Sequence, residues 1–222
     1  MALDGVILDV DGTLVLSNDA HARAWVEAFA AYGYEISFEQ VRPMIGMGGD
    51  QIVPQLAPGL EGESGKGKQI ADRRKELILN QFGPQLSATP GARELVQRMQ
   101  ADQLHLIIAS SATEEEMDLL LKVAQVNDLL DEFTTSSDAE NSKPAPDIVE
   151  AALEKADLAA DRVVMLGDTP DDVESAGKAG VSVIAFRTGG FSDEQLAGAI
   201  AIYDDPADLL QHYEESPLVQ YA

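Results

Sequence analysis

Short apolar runs that alternate with helical patterns restrict the fold of this 222-residue chain more than any other feature. Each run has the length and apolar character of a buried strand, and an apolar repeat near the helical period follows most of them. Strands that alternate with helices in this way form a parallel sheet with helices packed on both faces. The pattern therefore predicts an α/β fold in three α/β/α layers. The runs are 6–8, 104–109, 132–135, 163–166, 181–186 and 201–203.

Polar residues at fixed spacing indicate where several of these helices begin. Thr113 and Glu116 have the spacing of a capping box, in which each side chain accepts a hydrogen bond from the other residue's backbone N–H. Ser192 and Gln195 repeat this spacing and predict another short helix. The two other helices expected in this part of the chain are 146–156 and 170–179.

Residues 15–87 interrupt the alternation, because they carry helical patterns and no strand pattern. Ser37 and Gln40 have capping spacing and predict one helix, and a long helix is expected at 68–82. An earlier helix has an apolar face, in which the apolar positions recur three and four residues apart. This face consists of Ala22, Trp25, Val26, Phe29 and Ala30.

The return of strand patterns after this helical segment sets the predicted domain boundaries. Thr89-Pro90 is expected to start the next helix, since proline is favourable in the first turn of a helix. We therefore predict a core made of residues 1–14 and 88–222, with residues 15–87 inserted as a small all-helical cap domain.

Composition excludes several classes of function. The chain has 39 acidic and 15 basic residues and a net charge of −24, which would repel a nucleic-acid backbone. It has no cysteine, so disulfides, thiolate metal sites and a cysteine nucleophile are ruled out. It has no apolar stretch of the roughly 20 residues that a membrane helix needs. Because the first strand pattern begins near the N-terminus, no leader is expected. We expect a cytoplasmic protein, monomeric or weakly dimeric, without nucleic-acid or membrane partners.

Two aspartates directly follow the first apolar run. Residues two apart in a strand point the same way, so Asp9 and Asp11 are expected to converge where the strand ends. Two carboxylates held this close repel each other unless a cation or a proton lies between them. The pair therefore suggests a magnesium site, with one carboxylate available to attack and the other to handle protons.

Further polar clusters follow three of the other predicted strands. Because the carboxyl ends of parallel strands lie at one edge of the sheet, these side chains are expected to meet in one crevice. A hydroxyl, a lysine and a second pair of acids, added to the first pair, suit phosphoryl transfer, which depends on positioning and charge neutralisation. The clusters are Ser110-Ser111, Lys143-Pro144 and 167–172.

These segments resemble the four signature motifs of the haloacid dehalogenase superfamily, in the same order along the chain. They are Asp9-Val10-Asp11-Gly12-Thr13, Ser110, Lys143-Pro144 and 167–172, which reads Gly-Asp-Thr-Pro-Asp-Asp. The helical insertion after the first motif is similar to the small helical cap of one branch of that superfamily. This branch contains phosphoglycolate-type phosphatases and β-phosphoglucomutases. The resemblance implies a Rossmann-like core with a mobile cap.

The resemblance implies a role for each motif residue. Asp9 would be the nucleophile that forms an aspartyl-phosphate. Asp11 would protonate the leaving oxygen and then deprotonate the hydrolytic water, as a general acid and base. Thr13 and Ser110 would donate hydrogen bonds to the phosphoryl oxygens, and Lys143 would neutralise their charge.

The resemblance also implies Mg²⁺ as the cofactor, a cation that prefers hard oxygen ligands. Asp9, the backbone carbonyl of Asp11 and Asp168 would bind this ion. Asp172 would act in the outer shell of the metal or through water, and whether it touches the metal is left open.

Residues of the cap are expected to set substrate specificity. His21 corresponds to a histidine near the reacting phosphate in the mutase branch, although a surface residue in the first helical turn is an equally good interpretation. Gly49 stands where the mutases carry an arginine that binds the distal phosphate of a bisphosphate. Two arginines of the last cap helix could replace it, or could simply be exposed basic residues. The candidate residues of the cap are His21, Gly46, Gly48, Gly49, Arg73 and Arg74.

The sequence thus predicts a magnesium-dependent phosphatase that hydrolyses a small phosphorylated metabolite, of the sugar phosphate or phosphoglycolate type. One alternative is a phosphohexomutase similar to β-phosphoglucomutase, which Gly49 disfavours. The other is a non-enzymatic phospho-acceptor that resembles a receiver domain, although such domains are usually much shorter and have no cap.

Overall fold

The computed structural model describes residues 3–220, in which six strands form a parallel sheet. The strands are β1 (Gly5–Leu8), β2 (His105–Ala109), β3 (Phe133–Thr134), β4 (Val163–Gly167), β5 (Ser182–Phe186) and β6 (Ala201–Tyr203). Their order across the sheet is β3-β2-β1-β4-β5-β6. Helices pack on both faces, so the predicted three-layer, Rossmann-like α/β architecture is confirmed. The ends of the predicted core, residues 1–2 and 221–222, lie outside the described residues.

β1 lies at the centre of the sheet, where the strand order changes direction. Leu8 pairs with Ile108 of β2 on one side and with Leu166 of β4 on the other. The three strands therefore end at nearly the same level. In open parallel sheets, the crevice beyond the carboxyl ends of the strands at such a point is the usual ligand site. The polar clusters that follow β1, β2 and β4 are thus placed around one crevice.

Residues 15–87 form a helical segment with its own apolar core. Its helices are α1 (Asn18–Ala31), α2 (Phe38–Val41), α3 (Gly49–Leu56) and α4 (Gly65–Leu77), the last continued by a π-helical turn at Ile78–Phe82. Trp25, Phe29 and Ile70 are buried in this core and belong to neither of the cores that flank the sheet. The two ends of the segment lie side by side where it joins the sheet region, since the N–H of Leu16 donates to the carbonyl of Ser87 at 2.9 Å. These contacts support the division into core and cap, which stays a prediction.

The helices that accompany the sheet are α5 (Ala92–Ala101), α6 (Glu114–Val123), α7 (Asp147–Ala156), α8 (Pro170–Lys178), α9 (Pro206–Gln211) and α10 (Pro217–Gln220). Alternate residues of β1 point to opposite faces of the sheet. Val6 and Leu8 pack in the core that α5 and α6 cover, and Ile7 packs in the core that α7 and α8 cover. All three side chains are fully buried. Burial on both faces explains why β1 reads as a continuous apolar run.

The capping spacing at Ser192 and Gln195 does not start a helix. The two residues exchange the expected hydrogen bonds, since each backbone N–H donates to the other side chain, at 3.0 Å and 3.4 Å. Only turns follow, because Gly198 has a positive φ of 112° and the N–H of Ile200 donates to the carbonyl of Val183. The helix predicted at this position is therefore wrong.

Three other helices differ in detail from the prediction. α5 begins at Ala92 rather than at Thr89, because Gly91 has a positive φ of 75°, which ends any regular helix. The buried face of α1 includes Ala28, whereas Ala30 is exposed. α4 begins three residues before its predicted start. The capping boxes predicted at the starts of α2 and α6 are confirmed.

None of the helices within residues 3–220 is long and apolar enough to cross a membrane. The expected cytoplasmic location, the monomeric or weakly dimeric state and the absence of a nucleic-acid partner stay predictions.

Candidate active site

Asp9 and Lys143 form a buried ion pair at the carboxyl end of β1. Nζ of Lys143 lies 2.7 Å from Oδ1 of Asp9 and 2.8 Å from Oδ1 of Asp172, and it donates to the carbonyl of Ala109 at 3.1 Å. The lysine side chain is only 1% exposed. Burial opposes the charge of Lys143, but its two carboxylate neighbours raise its pKa above the ordinary value. Lys143 therefore stays a positive charge beside Asp9.

The loop after β4 places Asp168 and Asp172 beside this ion pair. Oδ2 of Asp172 accepts hydrogen bonds from the N–H of Asp168 at 3.1 Å and from the N–H of Thr169 at 3.0 Å. These bonds fix the start of α8 in a capping box. The other oxygen of Asp172 faces Lys143. Both oxygens of Asp172 therefore have protein partners.

Asp9, Asp168 and Asp172 form an acidic cluster, in which each of three buried carboxylates places one oxygen within 4.8 Å of an oxygen of the other two. Burial raises the pKa of Asp9 to about 7, with Lys143 lowering it and Asp172 raising it. Burial and the neighbouring acids Asp9 and Asp172 also raise the pKa of Asp168 well above its ordinary value. Carboxylates crowded in this way are stabilised by a hard divalent cation, and their oxygens are the ligands that Mg²⁺ prefers. The acidic cluster therefore fits a bound Mg²⁺.

Asp11 bonds to the helical segment, and its side chain lies outside the acidic cluster. Its Oδ1 accepts hydrogen bonds from Oγ of Ser17 at 2.5 Å and from Nε2 of His21 at 2.7 Å. Nδ1 of the same imidazole ring contacts the guanidinium of Arg74. Although burial disfavours the charge of Asp11, its interactions with His21, Ser17 and Arg74 hold its pKa below the ordinary value. The two aspartates of the first motif therefore have different partners and different affinities for a proton.

Asn18 contributes to the site and was not predicted from the sequence. Its Nδ2 donates to Oδ2 of Asp168 at 2.7 Å, so the first turn of α1 orients a carboxylate of the acidic cluster. Gly12 lies against this contact with a φ of 83°, and a Cβ at this position would lie 1.9 Å from Oδ2 of Asp168. The first motif therefore needs glycine here. The sequence feature that could have identified Asn18 is a polar residue at the start of the first helix of the predicted cap.

The hydroxyl groups predicted to bind phosphate take up different positions. Oγ of Ser110 accepts the N–H of Ala112 at 3.1 Å and lines a cavity, so its own hydrogen is free to donate. The hydroxyl of Thr13 is fully buried and donates to Oδ1 of Asp168 at 3.3 Å. The structure thus brings Thr13 to the acidic cluster rather than to the wall of the cavity. Ser111 lines the cavity as well, and its Oγ is buried without a hydrogen-bond partner among the described residues.

Two adjoining cavities lie between the helical segment and the sheet region. The inner cavity, of about 50 Å³, is lined by both Asp9 and Asp11. The outer cavity, of about 370 Å³, is lined by residues of α3, α4, α6 and the loop before Lys143. The residues that line both cavities are Trp25, Gly48, Gly49, Arg74 and Ser111.

The cap residues predicted to set specificity fall into two groups. Five of them line the inner cavity: His21, Gly46, Gly48, Gly49 and Arg74. His21 is buried, so its interpretation as a surface residue is wrong. Arg73 lines neither cavity, and its guanidinium pairs with Glu76 at 3.0 Å on the surface. The expectation for Arg73 is therefore corrected, since α4 exposes this side chain while the next one, Arg74, faces the cavities.

Ser142 joins the glycine loop of the helical segment, residues 46–50, to the loop that carries Lys143. The N–H of Gly48 donates to Oγ of Ser142 at 2.9 Å, and the N–H of Ser142 donates to Oδ2 of Asp50 at 3.2 Å. A Cβ on Gly48 would lie 2.7 Å from Cβ of Ser142, so glycine permits this approach. The reciprocal bonds, which were not predicted from the sequence, hold the helical segment against the loop that supplies the lysine.

Comparison with known proteins identifies several relatives of this chain. It is 31% identical over 189 residues to Protein SUPPRESSOR OF QUENCHING 1, chloroplastic, of Arabidopsis thaliana, an alignment that covers 84% of the chain but only 18% of that protein. It is 30% identical over 216 residues to a phosphoglycolate phosphatase of Rhodospirillum rubrum, covering 92% of the chain and 88% of the relative. A solved structure of a hydrolase from Pseudomonas syringae has a TM-score of 0.87 at 27% identity, over 95% of this chain and 98% of that one.

A family model also matches the chain, over residues 6–186. This range includes all four motif segments, which contain Asp9, Ser110, Lys143 and Asp168. The model describes haloacid dehalogenase-like hydrolases. The resemblance seen in the sequence is thereby confirmed, and the chain belongs to the family of haloacid dehalogenase-like hydrolases.

Proposed function

We propose that this hydrolase is a phosphatase that acts on small phosphorylated metabolites, of the sugar phosphate or phosphoglycolate type, through an aspartyl-phosphate on Asp9. The observation that carries the proposal is that two neighbouring aspartates have different surroundings, because Asp9 is bonded to Lys143 and Asp11 to His21. Phosphoryl transfer through a carboxylate requires one acid that attacks and another that moves a proton. The similarity to a phosphoglycolate phosphatase supports the same class of activity.

In the first step, a carboxylate oxygen of Asp9 would attack the phosphorus while the bond from phosphorus to the leaving oxygen breaks. Lys143 would neutralise the charge of the phosphoryl group, and Ser110 would donate its hydroxyl hydrogen to a phosphoryl oxygen. Asp11 would pass a proton to the leaving oxygen, so that an alcohol departs. Asp11 is ionised at rest, but a phosphate dianion bound beside it raises its pKa, so that it takes up this proton from solvent before the transfer.

In the second step, a water molecule would attack the phosphorus of the aspartyl-phosphate. Asp11, now ionised again, would take a proton from this water as the bond between phosphorus and the oxygen of Asp9 breaks. Inorganic phosphate is released, the carboxylate of Asp9 is regenerated, and Asp11 loses its proton to solvent once the phosphate has left. The same residue thus serves both half-reactions, once as an acid and once as a base.

Mg²⁺ is the cofactor that we propose for the acidic cluster. Asp9, Asp168 and the backbone carbonyl of Asp11 would hold it, while Thr13 and Asn18 orient the carboxylate of Asp168. A bound Mg²⁺ would supply positive charge against the phosphoryl oxygens and the crowded carboxylates. The role proposed for Thr13 is therefore to orient a metal ligand rather than to contact phosphate.

We propose that the helical segment acts as a cap and that the outer cavity holds the leaving group. A cavity of about 370 Å³ has room for a leaving group larger than the two carbons of glycolate. Each cation that lines it is paired with an acid, so a second phosphate would have to displace a carboxylate. This favours monophosphates over bisphosphates and disfavours the mutase, as does Gly49. The pairs are Lys68 with Asp72, Arg74 with Glu116 and Lys75 with Glu115.

Release of inorganic phosphate from a panel of substrates tests the proposal. The panel contains phosphoglycolate, several sugar monophosphates and β-glucose 1-phosphate, each with Mg²⁺ and with EDTA. We expect release from at least one compound, in the presence of Mg²⁺ alone. Conversion of β-glucose 1-phosphate to glucose 6-phosphate without release would instead support the mutase. Stable phosphorylation of Asp9 without turnover would support the phospho-acceptor.

A further inference from the structure

Glu116 is a buried carboxylate that the local structure of α6 does not explain. Its side chain is 1% exposed. One oxygen, Oε2, accepts the N–H and the hydroxyl of Thr113, at 3.1 Å and 2.9 Å, which completes the capping box. An uncharged glutamine serves equally well in a capping box, and burying a carboxylate is unfavourable unless a cation pairs with it. The negative charge therefore has another role, which lies with the second oxygen.

The second oxygen of Glu116 accepts a hydrogen bond from Arg74 of the helical segment. Nη1 of Arg74 contacts Oε1 of Glu116, and Nη2 of the same guanidinium contacts Nδ1 of His21. The guanidinium also lies 5.5 Å from the centre of the Trp25 ring. The guanidinium is planar, so these two hydrogen bonds and the neighbouring aromatic ring fix its orientation. Arg74 thus connects a carboxylate of the sheet region to a histidine of the helical segment.

This contact determines which nitrogen of His21 carries the proton. A guanidinium has donors and no acceptor, so Nδ1 of His21 has to accept the hydrogen bond from Arg74. The neutral ring then carries its hydrogen on Nε2, which lies 2.7 Å from Oδ1 of Asp11. The imidazole therefore donates to the carboxylate proposed to move the proton, and it holds that carboxylate in place.

We infer that Glu116 is a positioning residue for Asp11, acting through Arg74 and His21, an inference that rests on the proposed phosphatase function. Glu116 belongs to the sheet region, while Arg74 and His21 belong to the helical segment. The ion pair forms only when the two parts lie together, so Asp11 gains its oriented hydrogen-bond donor only when the cap is closed. Closure would thereby prepare the proton transfer as well as enclose the substrate.

The same two helices offer a matched control. Glu115 of α6 pairs with Lys75 of α4 at 2.9 Å, directly beside the pair of Glu116 and Arg74. Glu115 is 67% exposed, whereas Glu116 is buried. Both pairs connect the helical segment to the sheet region, but only the buried pair also contacts His21, through the guanidinium of Arg74. A variant of Glu115 therefore removes a contact between the two parts without disturbing Asp11.

The test compares two substrates that differ in their need for a proton. The leaving oxygen of an alkyl or sugar monophosphate requires protonation, whereas 4-nitrophenolate departs without it. We expect Glu116→Gln to lower kcat/KM for the alkyl monophosphate about tenfold or more, and that for 4-nitrophenyl phosphate about twofold at most. Glu115→Gln should leave both values within about twofold of those of the wild type. Equal losses on the two substrates would show that Glu116 is merely structural and would overturn the inference.

Arg74→Lys tests the same inference independently, because a lysine ammonium group cannot bridge Glu116 and His21 as the planar guanidinium does. Its selective loss on the alkyl monophosphate should match that of Glu116→Gln, and the double variant should be no worse than either single one. Additive losses would mean that the two residues act separately, which contradicts the inference.

A measurement without turnover separates failure of this inference from failure of the proposed function. The chain has three histidines, so ¹⁵N correlation spectra of the imidazole rings can be assigned with a His21→Asn variant. We expect the wild type and Glu115→Gln to show His21 as one neutral tautomer with its hydrogen on Nε2. Glu116→Gln should show a mixture of ring states. An unchanged His21 spectrum in Glu116→Gln would overturn the inference, whether or not the wild type hydrolyses any phosphate ester.

Discussion

Nδ2 of Asn18 donates to Oδ2 of Asp168 at 2.7 Å, which connects the first turn of α1 to the acidic cluster after β4. The asparagine belongs to the helical segment and the aspartate to the sheet region. Asp168 is fully buried, so its carboxylate keeps the orientation that its bonded neighbours allow. The proposed metal site thus depends on a residue of the proposed cap as well as on the acids that would touch the ion.

Replacing Asn18 should weaken the binding of Mg²⁺ more than it lowers kcat. Loss of a partner that orients a metal ligand typically lowers metal affinity about tenfold or more. We expect Asn18→Ala to raise the Mg²⁺ concentration needed for half-maximal activity by about this factor, with kcat at saturating Mg²⁺ nearly unchanged. The control is Asn80→Ala, since the exposed Asn80 side chain donates to the carbonyl of Glu76 on the surface of the helical segment. Equal Mg²⁺ requirements in the two variants would contradict the role given to Asn18.

Alanine variants at two glycines with the same backbone φ can distinguish the effect of backbone strain from the effect of steric crowding. Gly12 and Gly33 both have a φ of 83°, but a Cβ on Gly12 would lie 1.9 Å from Oδ2 of Asp168, whereas one on Gly33 meets nothing within 4 Å. Gly33→Ala should lower the free energy of unfolding by about 1 kcal/mol and leave activity unchanged. Gly12→Ala should lower that free energy further and abolish Mg²⁺-dependent turnover. Urea unfolding and phosphate release measure the two effects. A Gly12→Ala variant with normal activity would show that Asp168 tolerates displacement.

The sheet and the motif residues could be predicted because their causes are local in the sequence. A strand buried on both faces is an unbroken apolar run, and residues that follow parallel strands reach the same edge of the sheet. Asp9, Lys143 and Asp168 could therefore be placed near one another without a structure. The helix predicted at Ser192 does not form, although its capping hydrogen bonds do. The chain turns at Gly198 instead and then joins the sheet.

Contacts between the helical segment and the sheet region could not be predicted. Asn18 and Asp168 are separated by 150 positions, and neither shows in its own neighbourhood that it meets the other. The capping box accounted for Glu116 locally and so gave no reason to expect Arg74 as its partner. Arg73 and Arg74 are adjacent in sequence, but neighbours on a helix point about 100° apart, and the side that faces the cavities depends on how α4 packs.

Asp9→Asn should abolish turnover and stabilise the metal-free protein. An amide cannot form the aspartyl-phosphate, and the change removes one of three crowded carboxylates from a buried cluster. We expect a higher Tm than that of the wild type in EDTA, and a smaller increase in Tm when Mg²⁺ is added. Asp118→Asn, at a residue that is 79% exposed, controls for the loss of one negative charge. Turnover near that of the wild type would refute the assignment of Asp9 as nucleophile. A lower Tm in EDTA would mean that the ion pair with Lys143 outweighs the repulsion.

Ser142→Ala and Asp50→Ala should weaken substrate binding by loosening the contact between the glycine loop and the loop that carries Lys143. Each removes one of the two hydrogen bonds that join these loops, and a hydrogen bond of this kind contributes about 1 kcal/mol, so KM should rise about fivefold in either variant. The unfolding midpoint should change little, because the apolar cores do not involve these residues. Ser64→Ala serves as the control, since the Ser64 side chain donates to Glu61 on the surface of the helical segment, away from both loops. Steady-state kinetics with the best substrate of the panel measure the change. An unchanged KM in both loop variants would show that these bonds do not hold the cap closed over the substrate.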